Sequence, residues 1–264
     1  GVPNVQFLML GRKIKYIERV GNTYSLSTES VYSNNPSLVL LDYLTSSKYG
    51  RGLTEDSLDL ESFYNAAQIC DRVAQHEVLV GGSLWKAYEK KRLGDAYEST
   101  LEIRRDLPLY ECNMIIDTSR PIRENITNIL GTMGNAELVW SGGLYKLQLS
   151  YPTQESEIRI VDTITDDKLI GGTIDISYPS SEMRRNFCTV TFRDESEDFS
   201  NNTVSWPPKT GAVYAQYLAQ DNNVPLESNL NLEGITDKYH ALAKAEETVR
   251  LSRSNVQYKF EVTV

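Results

Sequence analysis

Tyr32–Leu53, YSNNPSLVLLDYLTSSKYGRGL, is the stretch on which the reading of this chain turns. Asn34 and Asn35 carry side-chain oxygens that can accept hydrogen bonds from the free amides at a helix start. Pro36 suits the first helical turn, where its missing N–H is no loss. Leu38, Val39, Leu41 and Leu44 recur at roughly helical spacing, which predicts a short helix with one apolar side. Ser46 and Ser47 loosen its end, and Tyr49-Gly50-Arg51-Gly52-Leu53 turns the chain sharply through two glycines. The segment holds no reactive group. It is structural punctuation.

Upstream, Val5, Phe7 and Met9 alternate before Gly11-Arg12, and Ile14, Tyr16 and Val20 follow, which predicts strand, turn and strand. Downstream, a second helix is expected from about Asp56 to Ala74. Its face of Leu60, Phe63, Ala67, Cys70, Val73 and Ala74 makes Cys70 a small core residue. Residues 77–104 mix apolar and charged pieces, with turns at Gly81-Gly82 and Gly94-Asp95. Tyr97–Arg104 and Tyr110–Asp117 read as a strand pair joined through Asp106-Leu107-Pro108. A helix follows, capped by Thr118 or Ser119, with Pro121 in its first turn and Ile122, Ile126, Ile129, Leu130 and Met133 inward. Ala136–Trp140 and Leu144–Leu149 then form a hairpin across Ser141-Gly142-Gly143. Beyond Tyr151-Pro152 the pattern is mostly strand, at Ile158–Val161, Thr173–Tyr178 and Asn186–Phe192. The acidic run Asp194–Asp198 and the residues through Asn202 read as a long exposed loop. Thr236 is expected to cap a helix through about Ser252 with a seam of Leu242, Ala245 and Val249. A last strand, Val256–Val264, alternates Tyr258, Phe260 and Val262 with Lys259, Glu261 and Thr263.

The fold class expected is therefore α+β and β-rich, with a small inserted strand-strand-helix-strand-strand unit. Three regions are anticipated: 1–96, N-terminal strands plus two helices; 97–152, the small α+β subdomain; and 153–264, a β-rich domain closed by a helix and a C-terminal strand.

The 264 residues are 40% hydrophobic, enough for proper cores. Charge is 27 − 36 = −9, and a pI near 4.9 argues against a surface built to grip nucleic acid. Acidity of this kind serves solubility, or a negative lumen along which DNA slides. Cys70, Cys112 and Cys188 are scattered and odd in number, so neither a disulfide framework nor a zinc site is indicated, and folding in a reducing compartment is expected. No signal peptide is recognisable, and no apolar run approaches the ~18 residues that span a membrane. The first residue is Gly rather than Met, which predicts that the chain lies inside a longer protein.

Catalytic patterns are missing from the sequence. His76 and His240 stand in no HExxH and beside no nucleophile motif, and there is no Walker loop, GxGxxG or GxSxG. Asp166-Asp167 and the Asp194–Asp198 run were weighed as paired acids for glycosidic cleavage. Adjacent acids on a strand point to opposite faces, and an acidic loop is ordinarily just solvated. The run also lacks the alternating ligands and central glycine of a calcium loop. No catalytic, cofactor-binding or metal-binding residue is assigned. The 25 aromatics include 16 tyrosines, a composition that fits large subunit interfaces. Trp85, Trp206, Pro207 and Pro208 are the interface candidates, with Arg184 and Arg185 as charged partners for a neighbouring subunit.

The opening stretch, written NP-x-x-VL-x-DYLT-x-x-x-YG-x-G, resembles the tail tip attachment protein (protein J) family of lambda-like siphophages. Three further pieces are similar in the family's order: Tyr110–Asn113 through Asp117–Pro121, Leu138–Tyr145 with its Trp-Ser-Gly-Gly turn, and Arg185–Asp194. Gly234-Ile235-Thr236, followed by an alanine-rich helix with Arg250 and Arg253, matches another recurring piece. The resemblance implies a structural virion protein, the central hub of a non-contractile tail tip, assembled in the bacterial cytoplasm. It implies a homotrimer whose barrel-like β domains form a ring continuing the tail tube. Expected partners are the tube, other tail-tip proteins and the tape measure protein. DNA would pass the lumen without specific binding, and the host receptor would be met through regions absent here. Two alternatives compete: a peptidoglycan-degrading, glycosidase-like tail-tip segment, and the hub of a gene transfer agent or defective prophage.

Overall fold

Asn35 caps the helix that its neighbours announce. In the computed structural model, which describes residues 9–77, 104–150, 163–165, 167–171, 173–177, 183–254 and 257–262, the chain forms two units. The first comprises residues 1–150, 192–201 and 232–240, and the second 151–191, 202–231 and 241–264. The fold is mixed α+β.

The first unit opens with the antiparallel pair β1 (Lys13–Val20) and β2 (Thr23–Tyr32), whose register slips between Lys15 and Ile17. Buried Ser27 occupies the irregularity, accepting from the Tyr16 N–H at 3.0 Å and donating to the Glu29 carbonyl at 2.7 Å. Backbone groups that the bulge takes out of the ladder are thereby paired.

Helix α1 (Pro36–Thr45) follows. Asn35 Oδ1 accepts from the N–H groups of Ser37 (3.0 Å) and Leu38 (3.5 Å). Its Nδ2 donates to the Ala67 carbonyl (2.9 Å) and to Asp71 Oδ1 (2.8 Å). One buried amide therefore closes the start of α1 and the end of α2 (Leu60–Cys70). Leu40 and Tyr43 are buried as well as Leu38, Leu41 and Leu44, so α1 is covered on more sides than its apolar stripe predicts. At its far end the Tyr43 carbonyl accepts from the Arg51 N–H (3.1 Å), and a Cβ on Gly50 would lie 1.7 Å from that same oxygen. Only glycine fits there.

Helix α2 is shorter than expected. Asp59 caps it by accepting from the Ser62 N–H at 3.2 Å, and a single 3-10 turn, Glu55–Ser57, precedes it. Val73 already belongs to β3 (Val73–Glu77), which pairs antiparallel with β4 (Arg104–Pro108). Tyr110–Asp117, expected as a strand, forms no ladder. Its amides go to three separate places: Tyr110 N–H to the Cys70 carbonyl (3.2 Å), Cys112 N–H to Asn34 (2.8 Å) and Asn113 N–H to Gly234 (2.8 Å). Alternating apolar residues satisfied one by one in this way read like a strand without being one. Helix α3 (Ile122–Gly131) has Pro121 at its cap position, and Ser119 instead donates to Asp117 Oδ1. Buried Asn125 donates from Nδ2 to Tyr43 Oη (3.1 Å) and to the Asp117 carbonyl (2.9 Å). The hairpin β5 (Asn135–Ser141) and β6 (Leu144–Ser150) turns through Gly142 and Gly143, at φ of 63° and 81°, as the sequence predicts. It lies on α2, with the Leu147 N–H donating to Ser62 Oγ at 3.0 Å.

Strand β7 is Asp175–Ser177, and β8 (Phe187–Asp194) lies centrally in a three-stranded sheet of order β10-β8-β9. The residues expected as loop through Asn202 contain β9 (Ser200–Trp206). Buried Asp194 makes the turn into it, its carboxylate accepting from Ser196 N–H (2.9 Å) and Oγ–H (2.7 Å), with Asp198 and Phe199 at positive φ. Helix α4 (Ala212–Gln220) and strand β10 (Glu227–Leu232) had no counterpart in the periodicity reading. Helix α5 (Lys238–Ser254) is capped by Asp237, which accepts from the Tyr239 N–H at 2.8 Å. Thr236 Oγ1 instead accepts from Asn113 Nδ2. Ala241, Ala245 and Val249 form the buried seam of α5. Strand β11 (Gln257–Lys259) pairs antiparallel with β7. Among the described residues, every other sheet is a two-stranded ribbon, none closes on itself, and no helix is long and apolar enough to cross a membrane.

Asn35→Ala removes a cap, takes one donor from the buried side of the Asp71 carboxylate and leaves the Ala67 carbonyl with only the Asp71 N–H. Urea denaturation is expected to show a loss of about 2–4 kcal/mol, well beyond the ~1 kcal/mol of a cap alone. Asn35→Asp keeps the capping oxygen but sets it beside Asp71, so it fails to restore stability.

Candidate functional site: an arginine and aromatic cluster

Three of the six residues singled out from sequence, Arg184, Arg185 and Trp206, come together in the second unit around the end of α4, with Pro207 and Pro208 following Trp206. Asp221 terminates α4, its N–H donating to the Tyr217 carbonyl at 3.1 Å. Its buried carboxylate accepts from Arg253 in fork geometry: NH1 to Oδ2 at 2.7 Å and NH2 to Oδ1 at 3.3 Å. Arg184 NH1 lies 3.7 Å from Oδ1, and Asn186 Nδ2 donates to Oδ2 at 3.1 Å. Arg253 also donates to the Arg185 carbonyl (3.2 Å) and to Gln220 Oε1 (2.8 Å). Arg185 is held by its own N–H, which donates to Ser252 Oγ at 2.9 Å, and by NH1, which donates to the Arg184 carbonyl at 2.7 Å. Asn186 extends the network, donating to the Val224 carbonyl and accepting from the Leu226 N–H, each at 2.9 Å.

Aromatic rings carry the cluster to the surface. Arg253 Cζ sits 4.2 Å from the Tyr217 centroid, Tyr217 meets Trp206 edge-to-face at 6.4 Å, and Arg250 Cζ sits 5.2 Å from the Trp206 centroid. Cation and ring thus alternate through Arg250, Trp206, Tyr217 and Arg253. The Trp206–Pro207 bond is cis, Pro207 is buried and Pro208 exposed. Beside them Lys209 lies 4.3 Å from the Phe187 centroid and pairs with Glu227 at 2.7 Å, which holds its ammonium above the usual lysine range. Trp85 lies outside the described residues. Sequence reading missed Asp221, Asn186 and Tyr217. The signal for Tyr217 was its i,i+3 spacing from Tyr214 on α4, hidden by the weak apolar pattern of AVYAQYLAQ.

Nothing in this arrangement is poised to make or break a bond. Its buried carboxylate, Asp221, is engaged by Arg253 and Asn186, and its outer ones, Glu227 and Glu246, pair with Lys209 and Arg250. Elsewhere His240 is a buried structural residue, its Nε2 2.7 Å from the Pro108 carbonyl and its Nδ1 3.9 Å from Glu111. In the acidic run Asp194 serves as a turn cap, while Glu197 and Asp198 face solvent. Asp166 lies outside the described residues, and Asp167 is exposed. Among the described residues no group of three or more His, Cys, Asp or Glu side chains is placed to hold a metal ion. Burial pushes the thiols of Cys70 and Cys112 up to about 12 and raises that of Cys188. All three are free and buried, hence poor nucleophiles.

The cluster orders side chains at the end of α4, and the chain as a whole has a relative among known proteins. The chain is 23% identical over 261 residues, 99% of its length, to the baseplate hub protein pb3 of Escherichia phage T5. The match covers 25% of pb3, so the chain spans about a quarter of that relative. The chain matches no family model. The likeness runs from one end of the chain to the other, including the first unit around Asn35 and the second around Asp221.

Asp221→Ala strands Arg253 and Asn186, whose donors point at one buried carboxylate. A loss of about 3–5 kcal/mol is expected in urea melts, against under about 1 kcal/mol for Arg250→Ala at the exposed end of the stack. Separately, the raised thiols predict no fast reaction with a thiol reagent at about pH 8 in the native chain, and full labelling once it is unfolded.

Proposed function

We propose that the chain is a section of a tail-tip central hub, a virion protein that caps the tail tube and takes part in host attachment and DNA delivery. The observation that carries this reading is the similarity to a baseplate hub protein along 99% of the chain. The motif order that resembles the protein J family of lambda-like siphophages supports this reading and favours a tail of the non-contractile kind. The absence of an organised catalytic group at Asp221, His240 or Asp194 is compatible with a protein whose chemistry is association.

In the hub, three copies form a ring, and the tube, neighbouring tail-tip proteins and the tape measure protein are its contacts. The proline-aromatic segment at Trp206–Pro208, half-buried at Trp206 and exposed at Pro208, and the arginines beside it are the proposed contact region, because stiff aromatics lose little entropy on docking. A net charge of −9 suits a lumen that does not retain DNA. Receptor contact belongs to parts of the whole protein beyond this section, and assembly takes place in the host cytoplasm.

Immunogold labelling of purified virions with an antibody raised against residues 183–254 tests the placement. Gold at the distal end of the tail is the expected result. Gold confined to the capsid or spread along the tube would overturn it.

A further inference from the structure

Arg184 brings more positive charge to Asp221 than that carboxylate can balance. Arg253 takes both Asp221 oxygens, and Asn186 shares one of them. Arg184 stands 3.7 Å from Oδ1 without a hydrogen bond to it, and its side chain keeps 37% of its exposure. Its Nε is buried and has no acceptor among the described residues. Two guanidinium groups thus face one carboxylate, and the same cluster reaches the Tyr217 and Trp206 rings through Arg253. A cation with open donors at one end of an aromatic stack suits a carboxylate followed by a ring. The turn between β8 and β9 carries that pair. Asp198 is exposed, and among the described residues its carboxylate has no partner. Phe199 follows it, 40% exposed. Both lie in left-handed backbone, at φ of 54° and 56°, which is uncommon outside glycine. The Phe199 N–H donates to the Asp194 carbonyl at 2.8 Å, and the Asp194 carboxylate caps the turn before it, so the apex is held in place. Strand β9 then runs over 7 residues to Trp206, and at ~3.3 Å per residue it holds the apex ~20 Å from that ring within one copy.

We infer that the two features meet between copies: the Asp198–Phe199 apex of one copy docks on Arg184 and the Tyr217 and Trp206 rings of the next. Asp198 supplies the carboxylate that Arg184 lacks, and Phe199 packs on rings that Arg253 and Arg250 hold in fixed orientation. Copies that each carry a charge of −9 repel on average, so a local pair of opposite sign selects where they touch. The contact joins two different surfaces and is therefore heterologous, the kind that closes into a ring when the rotation between copies allows. It rests on the hub reading, in which three copies form a ring, and it names the part of the neighbouring copy that occupies the region around Trp206.

Sedimentation equilibrium of the 264-residue chain across the micromolar range is the test, and the parent is expected to show a monomer–trimer equilibrium. Asp198→Asn keeps a residue suited to left-handed backbone, and Arg184→Gln leaves Asp221 to Arg253 and Asn186, so thermal melts of both should match the parent. Each variant deletes the same ion pair at all three contacts of a ring. At roughly fivefold per contact, the trimerisation constant should fall about a hundredfold. The double variant should be no weaker than either single one, because both changes remove one interaction. Cross-linking reads the contact directly, since the native thiols are buried. A short bismaleimide should join copies carrying Asp198→Cys to copies carrying Arg184→Cys, and should do so faster than it joins either variant to itself. A parent that stays monomeric overturns the contact, as does a trimer unmoved by the single changes, single effects that multiply in the double variant, or no faster cross-linking in the mixture. Any of these with gold at the distal end of the tail removes the contact and leaves the hub reading standing, whereas gold elsewhere removes the hub reading itself.

Discussion

A single side-chain amide, that of Asn35, ties two helices of the first unit together, because it uses its acceptor and both of its donors at once. Its oxygen faces free amides at the start of α1, while its nitrogen faces the last turn of α2 and the Asp71 carboxylate. No aliphatic residue offers that combination, and aspartate offers only half of it. Once α1 is seated, the Asn34 carbonyl is in position to take the Cys112 amide, and the ladderless segment from Tyr110 acquires its path. Tyr43, one turn from the end of the same helix, carries the constraint onward to Asn125 of α3 and to the glycine turn at Gly50.

The second unit uses a different device for a similar end. Asp221 is a buried charge, and its desolvation is offset only because Arg253 meets it with both nitrogens and Asn186 adds a further donor. Such a group contributes less to stability than to choosing one arrangement of the surrounding elements. Here it ties the end of α4, the last turn of α5 and the entry to β8 to one geometry. Rings of Tyr217 and Trp206 then stand in fixed orientation, flanked by guanidinium groups and followed by Pro207 and Pro208. Side chains ordered in this way before any partner arrives lose little further entropy on docking.

Acidity and buried thiols fit the same picture. Charge of −9 is spread over a chain in which the described acids act as caps, ion-pair partners or solvated side chains. Cys70 sits in the contact face of α2 and Cys188 in that of β8, where a small apolar residue is required and chemical reactivity is suppressed by burial. The chemistry visible here is that of packing and pairing.

Much of the first unit was legible in the sequence. The Asn-Pro start of α1, the paired glycines after it and the Ser-Gly-Gly hairpin each encode local backbone geometry, which residue type alone dictates. Strand β8 showed its alternation for the same reason. By contrast, α4 escaped notice because its face is sparsely apolar, and Tyr110–Asp117 mimicked a strand because burial, without a ladder, produces the same alternation. The pairing of Asp221 with Arg253, 32 residues away, had no local signature at all. Sequence by itself determined where the chain must cap, turn and alternate, since those depend on neighbours in the chain. Only the tertiary structure decided which carboxylate meets which guanidinium, because that choice is made between segments that meet through space.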